Sequence, residues 1–275
     1  MSMKRSTAGA LGQETVRILE AGRYKNPAGT VVAIADAVAQ AVAGTRSYPP
    51  DASLPRVLPG EKPTKIEVVN ESTLAAAARL VARGQCPMAL NFASAKHPGG
   101  GFLGGARAQE ESLARSSALY ACINGNPMYA FHRARADAVY TDYAIYSPSV
   151  PVFRNDDGQL LNAPFPCSFI TAPAANAKAV LKHDRGRHAE LGVVMERRIR
   201  KVLAIAAAHG HEALFLGAWG CGVFGNDCAE IAGLFHRALA NHFRGVFAEV
   251  IFAVLDWSED HRFIGPFQKA FASGV

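Results

Sequence analysis

The chain has 275 residues, 49% of them hydrophobic and 19% charged, with a formal net charge of +6. That composition is globular, no window approaches the roughly 20 apolar residues a membrane helix needs, and the N-terminal "MSMKRSTAGALGQETV" has no signal-peptide apolar run. The five cysteines are odd in number and lack CxxC spacing, which argues against a disulfide framework and a zinc site, and no Lys/Arg block reads as a nucleic-acid arm.

In chain order, "GQETVRILEAG" (12–22) reads as an amphipathic helix stopped by Gly22, "GTVVAIA" (29–35) as a strand, and the segment to about 43 as a helix. The proline-rich stretch 45–65 reads as a long irregular loop. "KIEVVN" is a strand, "STLAAAARLVARG" a helix closed by Gly84, and "PMALNFA" a strand. A helix is expected from about Arg107, with Leu113, Ser117, Tyr120 and Ile123 on its core face. "YAIYSPS" and "CSFITAP" read as strands around a hairpin that turns at Asp157-Gly158. The segment 182–191 reads as a basic mobile loop, 191–210 as a core-facing helix and "EALFLGAW" as a buried strand. A helix over 228–244, the strand "AEVIFAVL" and a closing helix near 259–272 complete the chain. Such alternation predicts an α/β architecture with a parallel or mixed sheet, whose ligands bind outside the carboxyl ends of the strands.

Two glycine loops interrupt this pattern. "LFLGAWGCGVFGNDCAE" (214–230) runs from a strand through Gly220, Gly222 and Gly225 to a helix that Asp227 and Glu230 can cap. Loop amides before a helix suit a diphosphate. Gly220-x-Gly222-x-x-Gly225 also matches a dinucleotide fingerprint, but it lies late in the chain and Asp256 follows about thirty positions on, a poor fit to a nicotinamide site. The other loop, "HPGGGFLGGARAQEES", leads into Glu110 and Glu111. Carboxylates in a first helical turn are favourable in themselves, and Arg107 and Arg115 lie four residues either side of Glu111, so a purely structural use is open. Beside a bound sugar they suggest glycosidic chemistry instead. Adjacent glutamates project about 100° apart on a helix, so one would serve chemistry and the other positioning.

"GGGFLGGARAQEE" resembles the signature of poly(ADP-ribose) glycohydrolases, a glycine triplet followed by Gln-Glu-Glu, and the wider "LNFASAKHPGGGFLGGARAQEESLARSSALY" is similar to their bacterial-type branch in the macrodomain superfamily. "VVNESTL" stands in the place of the macrodomain strand ending in Gly-Asp-Ile-Thr, and "GAWGCGVFGN" in that of the late diphosphate loop. The resemblance implies a three-layer α/β/α macrodomain-like fold with a central mixed sheet, in one catalytic domain over 1–275. Residues 1–65 would be a helical extension packed on an ADP-ribose-binding core, 66–275.

It implies hydrolysis of ribose–ribose bonds in poly(ADP-ribose), carried free or on ADP-ribosylated proteins, with release of ADP-ribose. That chemistry reverses ADP-ribosylation, as in the DNA damage response. Glu111 resembles the acid/base, needing a raised pKa, and Glu110 its ribose-binding neighbour, with Gln109 beside them. Gly99, Gly100 and Gly101 would contact diphosphate and ribose. Gly220, Cys221, Gly222, Val223, Phe224 and Gly225 would wrap the diphosphate, with Phe224 against the distal ribose. Glu71 would accept from the adenine amino group, and either Asn91 replaces the ribose-binding asparagine that Ser94 displaces or that contact is absent. Arg107 and Arg115 are expected to point away from Glu111. The implied reaction needs no cofactor or metal, and the expectation is a cytoplasmic monomer without nucleic-acid or membrane partners. A macrodomain that only reads ADP-ribose would have no use for Gln109-Glu110-Glu111, and an enzyme acting on mono-ADP-ribose or a small derivative is the other alternative. Exo versus endo cleavage stays open.

Overall fold

The computed structural model describes residues 3–275. Helix α1 (Arg5–Ala21) begins earlier than its apolar pattern suggests and ends at Gly22. Strands β1 (Arg23–Lys25) and β2 (Val31–Ala33) form a small antiparallel pair, so the predicted strand is shorter and has a partner that the sequence did not signal. After α2 (Ala35–Gly44), the loop expected over 45–65 begins with a short edge strand, β3 (Arg46–Tyr48). Then follow β4 (Lys65–Val69), α3 (Thr73–Val81) and β5 (Met88–Phe92).

The helix after the glycine triplet is α4 (Gln109–Ser116), and it stops early. Ser117 adopts extended backbone (φ −144°, ψ 174°) and makes a β-bridge with Val152, which wins over the helical spacing before α5 (Leu119–Ile123) and α6 (Pro127–Arg133). The hairpin of β6 (Ala144–Arg154) and β7 (Leu160–Ala172) turns through Asp157-Gly158. The segment expected as a loop over 182–191 is helical instead. Asn176 caps α7 (Ala177–His183), a 3-10 turn follows over Arg185–Glu190, and Arg187 pairs with Asp137 and Glu190 at 3.0 and 3.1 Å. The chain closes with α8 (Leu191–Ala208), β8 (Ala213–Leu216), α9 (Cys228–Arg237), β9 (Glu249–Ala253) and α10 (Ile264–Ala270). From Ala238 to His242 the expected continuation of α9 widens into a π-helical turn.

Among the described residues the main sheet runs β3-β6-β7-β5-β8-β9-β4. From β7 to β4 every pairing is parallel, while β3, β6 and β7 are antiparallel. Both faces are covered. Met88 and Leu90 of β5 join a core under α7 to α10, and Ala89 joins the opposite core with residues of α1 to α6. The three layers therefore place the loops after β4, β5, β7, β8 and β9 on one edge of the sheet, where parallel strands present ligand sites.

Helix α1 packs on the loop that precedes α4. Thr15 is fully buried and its hydroxyl donates to the Arg115 carbonyl at 2.5 Å. Arg154, also buried, pairs with Glu14 at 3.0 Å and donates to the same Arg115 carbonyl. Gly12 faces the Phe102 carbonyl so closely that a Cβ there would lie 2.7 Å from its oxygen. Overpacking of this kind costs about 1–3 kcal/mol. Replacing Gly12 with valine should therefore lower the thermal midpoint by several degrees, read by calorimetry.

Candidate active site

The turn after β5 is built around two carboxylates. The N–H of Ser94 donates to Glu110 Oε2 at 2.6 Å, and the Asn91 amide reaches Oε1 at 3.4 Å. The Gly99 amide also donates to Glu110. Glu111 is held independently: Gly101 N–H donates to its Oε1 at 2.9 Å and Ala108 N–H to its Oε2 at 3.0 Å. Ala108 is the N-cap of α4 and has no side-chain oxygen, so Glu111 supplies one half of a capping box on its own. Gly100 sits at φ +59°, and a Cβ there would fall inside the van der Waals shell of Glu111 Oε1 and 3.1 Å from Glu110 Oε2. Both constraints demand glycine.

Two of the triplet's amides thus hold carboxylates, Gly99 on Glu110 and Gly101 on Glu111, while Gly100 N–H donates to the His97 carbonyl. Gln109 is likewise committed to the protein. Its oxygen accepts from Phe92 N–H at 2.9 Å and its nitrogen donates to the Leu90 carbonyl at 2.8 Å and to Thr73. It fastens α4 to the end of β5. Asn91 is fully buried and donates to Thr171 as well as Glu110. It lies beneath the site and cannot stand in for a ribose-binding asparagine.

Burial pushes the Glu110 carboxyl up to about 8 from its ordinary 4.5, against the pull of the Ser94 amide, and the charge of Glu111 adds to the rise. The Tyr129 hydroxyl is buried with no hydrogen-bond partner among the described residues, and burial and then Glu110 raise it well above its usual range. Arg115 donates to the Ala106 carbonyl at 2.5 Å and Arg107 to that of Met3. Arg115 forms no ion pair with Glu111, although the glutamate's charge offsets part of the lowering that burial imposes on its guanidinium.

The loop after β8 lies beside this turn. Asn226 closes it by donating from backbone and side chain to the Gly220 carbonyl and from the side chain to Ala175. Cys221 is buried, with its N–H on the Ala218 carbonyl, so it is part of the frame. The N–H groups of Gly222, Val223 and Phe224 donate to nothing among the described residues. Val223 is 74% exposed, and Gly222 opens onto free space. The Lys178 side chain covers Gly225, and the Lys178 N–H donates to the Phe224 carbonyl. Phe224 faces Tyr140, ring centroids 6.2 Å apart.

At the far end of the row, Asn70 exchanges two hydrogen bonds with the Asp256 backbone, and Glu71 is engaged by Arg79 at 2.6 Å. One Glu71 carboxylate oxygen is thus committed to Arg79. Trp257, next to Asp256, is 87% exposed. Sequence reasoning missed Trp257, Tyr140, Lys178 and Asn226. Only the signal of an aromatic beside a strand end was available for the first, and none for the others.

A family model described as the catalytic domain of microbial-type PARG matches residues 12–155. The crystal structure of poly(ADP-ribose) glycohydrolase from Thermomonospora curvata is 50% identical, covering 97% of this chain and 100% of that one with a TM-score of 0.92. The same enzyme bound to the inhibitor ADP-HPD is 49% identical over 97% and 100% of the two chains, with a TM-score of 0.89. The Deinococcus radiodurans enzyme in complex with ADP-ribose is 44% identical over 86% and 97% of the chains, with a TM-score of 0.81. No curated protein matches the chain.

The raised Glu110 carboxyl gives a pH prediction. A folded-state pKa above the unfolded value contributes stability that is whole below pH 4.5 and is lost as pH rises through about 8. The thermal midpoint of wild type should fall between pH 6 and 9 by more than that of Glu110→Gln, which keeps the shape and cannot ionise. Parallel melting curves over that range test this.

Proposed function

This chain belongs to the microbial-type poly(ADP-ribose) glycohydrolase family and is a hydrolase of poly(ADP-ribose), and from that premise we propose how its own residues bind and cut the polymer. The observation that carries the reading is the sheet order β5-β8-β9-β4. It sets the glutamate turn, the loop with unspent amides and the exposed Trp257 in a row. Neighbouring strands lie about 4.8 Å apart, so the row spans about 10 Å from β5 to β9 and about 14 Å to Asn70 beyond β4, suited to a ligand made of ribose, diphosphate and adenosine.

In this arrangement the N–H groups of Gly222, Val223 and Phe224 take the diphosphate, and Phe224 lies against the distal ribose. Trp257 offers the adenine a stacking face, with Asn70 and Asp256 framing that end. Glu111 is the acid/base. As the bond from the ribose anomeric carbon to the 2′-oxygen of the next unit breaks, it gives that oxygen a proton. Its carboxylate then takes a proton from the water that attacks the anomeric carbon. Glu110 orders the turn and binds ribose hydroxyls. The product is ADP-ribose. The enzyme acts as a monomer on free or protein-attached polymer, without nucleic acid. A cytoplasmic setting accords with five free thiols.

Glu111→Gln should lower turnover on polymer by about 10²–10⁴-fold while still binding ADP-ribose in calorimetry; a mutant that keeps wild-type turnover would remove Glu111 from this role. Trp257→Ala should weaken ADP-ribose binding about tenfold or more, as loss of a base-stacking face does, with little change in turnover at saturation.

A further inference from the structure

Beyond Tyr140 and Phe224, on the β7 side of the glutamate turn, the surface drops into a cleft of about 490 Å³ that the proposed ADP-ribose row does not use. Its walls include Lys96, Tyr140, Ala179, His183 and Arg187. The volume falls in the range of pockets that hold a nucleotide-sized ligand. Lys96, in the cleft wall, lies two residues from Ser94, whose amide holds Glu110, so the cleft shares a turn with the reacting end of the row. Tyr140, in the cleft wall, has left-handed backbone (φ 58°), a conformation uncommon for an aromatic residue, and its ring lies against that of Phe224.

The surrounding charge is basic. Arg133 donates to the Lys96 carbonyl at 2.8 Å, and Lys178, Lys182 and Arg185 follow along the adjoining α7 segment. Asp137 and Glu190 are paired with Arg187, which leaves Asp184 as the acidic wall residue without an ion pair among the described residues. The Lys96 ammonium makes no hydrogen bond or ion pair among the described residues.

We propose that this cleft is the subsite for the leaving unit of the polymer, the ADP-ribose whose 2′-oxygen departs when the terminal unit is released. The proposal rests on the reading of Glu111 and the row given above and extends it by one unit. With the released unit lying along β4, β9, β8 and β5, its anomeric carbon ends at the glutamate turn. The chain beyond that carbon continues past β5 toward β7, which is where the cleft lies. Tyr140 offers a flat face to the leaving adenosine, and Lys96 with the basic rim meets its diphosphate. The enzyme therefore grips two consecutive units and favours a polymer over a substrate with a small leaving group.

The test compares two substrates: length-fractionated poly(ADP-ribose), and ADP-ribose carrying p-nitrophenol on its anomeric carbon, which fills the row and leaves the cleft empty. The variants are His183→Glu, which reverses charge on the wall, and Ala179→Trp, which fills the space. Neither residue belongs to the row. KM for polymer should rise about fivefold or more in each variant, a loss near 1 kcal/mol, while nitrophenyl release and ADP-ribose affinity stay at wild-type values. An unchanged polymer KM in both variants would overturn the subsite, as would equal losses on both substrates. Wild type that cuts the nitrophenyl substrate and leaves polymer intact would overturn the polymer reading, and this subsite with it.

Discussion

Two carboxylates gripped by backbone amides of a single turn set the geometry on which the rest of this protein depends. Ser94 and Gly99 amides hold Glu110, while Gly101 and Ala108 amides hold Glu111. Gly100 lets the two side chains pass within reach of one backbone stretch, because any Cβ there would collide with them. The turn is then braced from outside. Gln109 ties the first residue of α4 to β5, and Thr15 and Arg154 secure its far end through the Arg115 carbonyl. Such bracing fixes rotamers before a ligand arrives, which is what positioned acid/base chemistry requires.

The sheet converts that local geometry into a binding site for an extended ligand. Parallel order from β7 to β4 sends successive loops to one edge, so the glutamate turn, the β8 loop and Trp257 are laid out in line. Each position spends its backbone groups differently. At β5 the amides are consumed by glutamates, and at β8 they are left unpaired. At β9 an aromatic face stands in solvent. The two glycine-rich loops of the chain therefore differ: one has its amides turned inward on two carboxylates, and the other leaves three amides unspent among the described residues.

Much of this was legible beforehand. Alternating apolar periods located the strands of the parallel half, and the two glycine loops that the sequence singles out follow the adjacent strands β5 and β8. What the sequence could not convey was partner choice. Asn91 sits on a central strand covered on both faces, so no orientation would have exposed it, yet a strand-end asparagine reads like a ligand contact. Glu71 is captured by Arg79 from the following helix, a pairing invisible to motif comparison. Ser117 fits the helical spacing but leaves the helix for a bridge with Val152, thirty-five positions away. The triplet's amides read as free donors, whereas those of Gly99 and Gly101 are on the carboxylates and that of Gly100 is on the His97 carbonyl.

The most direct test of this account is a crystal structure of the protein with ADP-ribose. The account predicts a Glu111 carboxyl oxygen within about 3.2 Å of the anomeric hydroxyl. It also predicts the diphosphate on the Gly222, Val223 and Phe224 amides and the adenine on Trp257. A diphosphate seated instead on the Gly99–Gly101 amides, with Glu111 turned from the anomeric carbon, would contradict it.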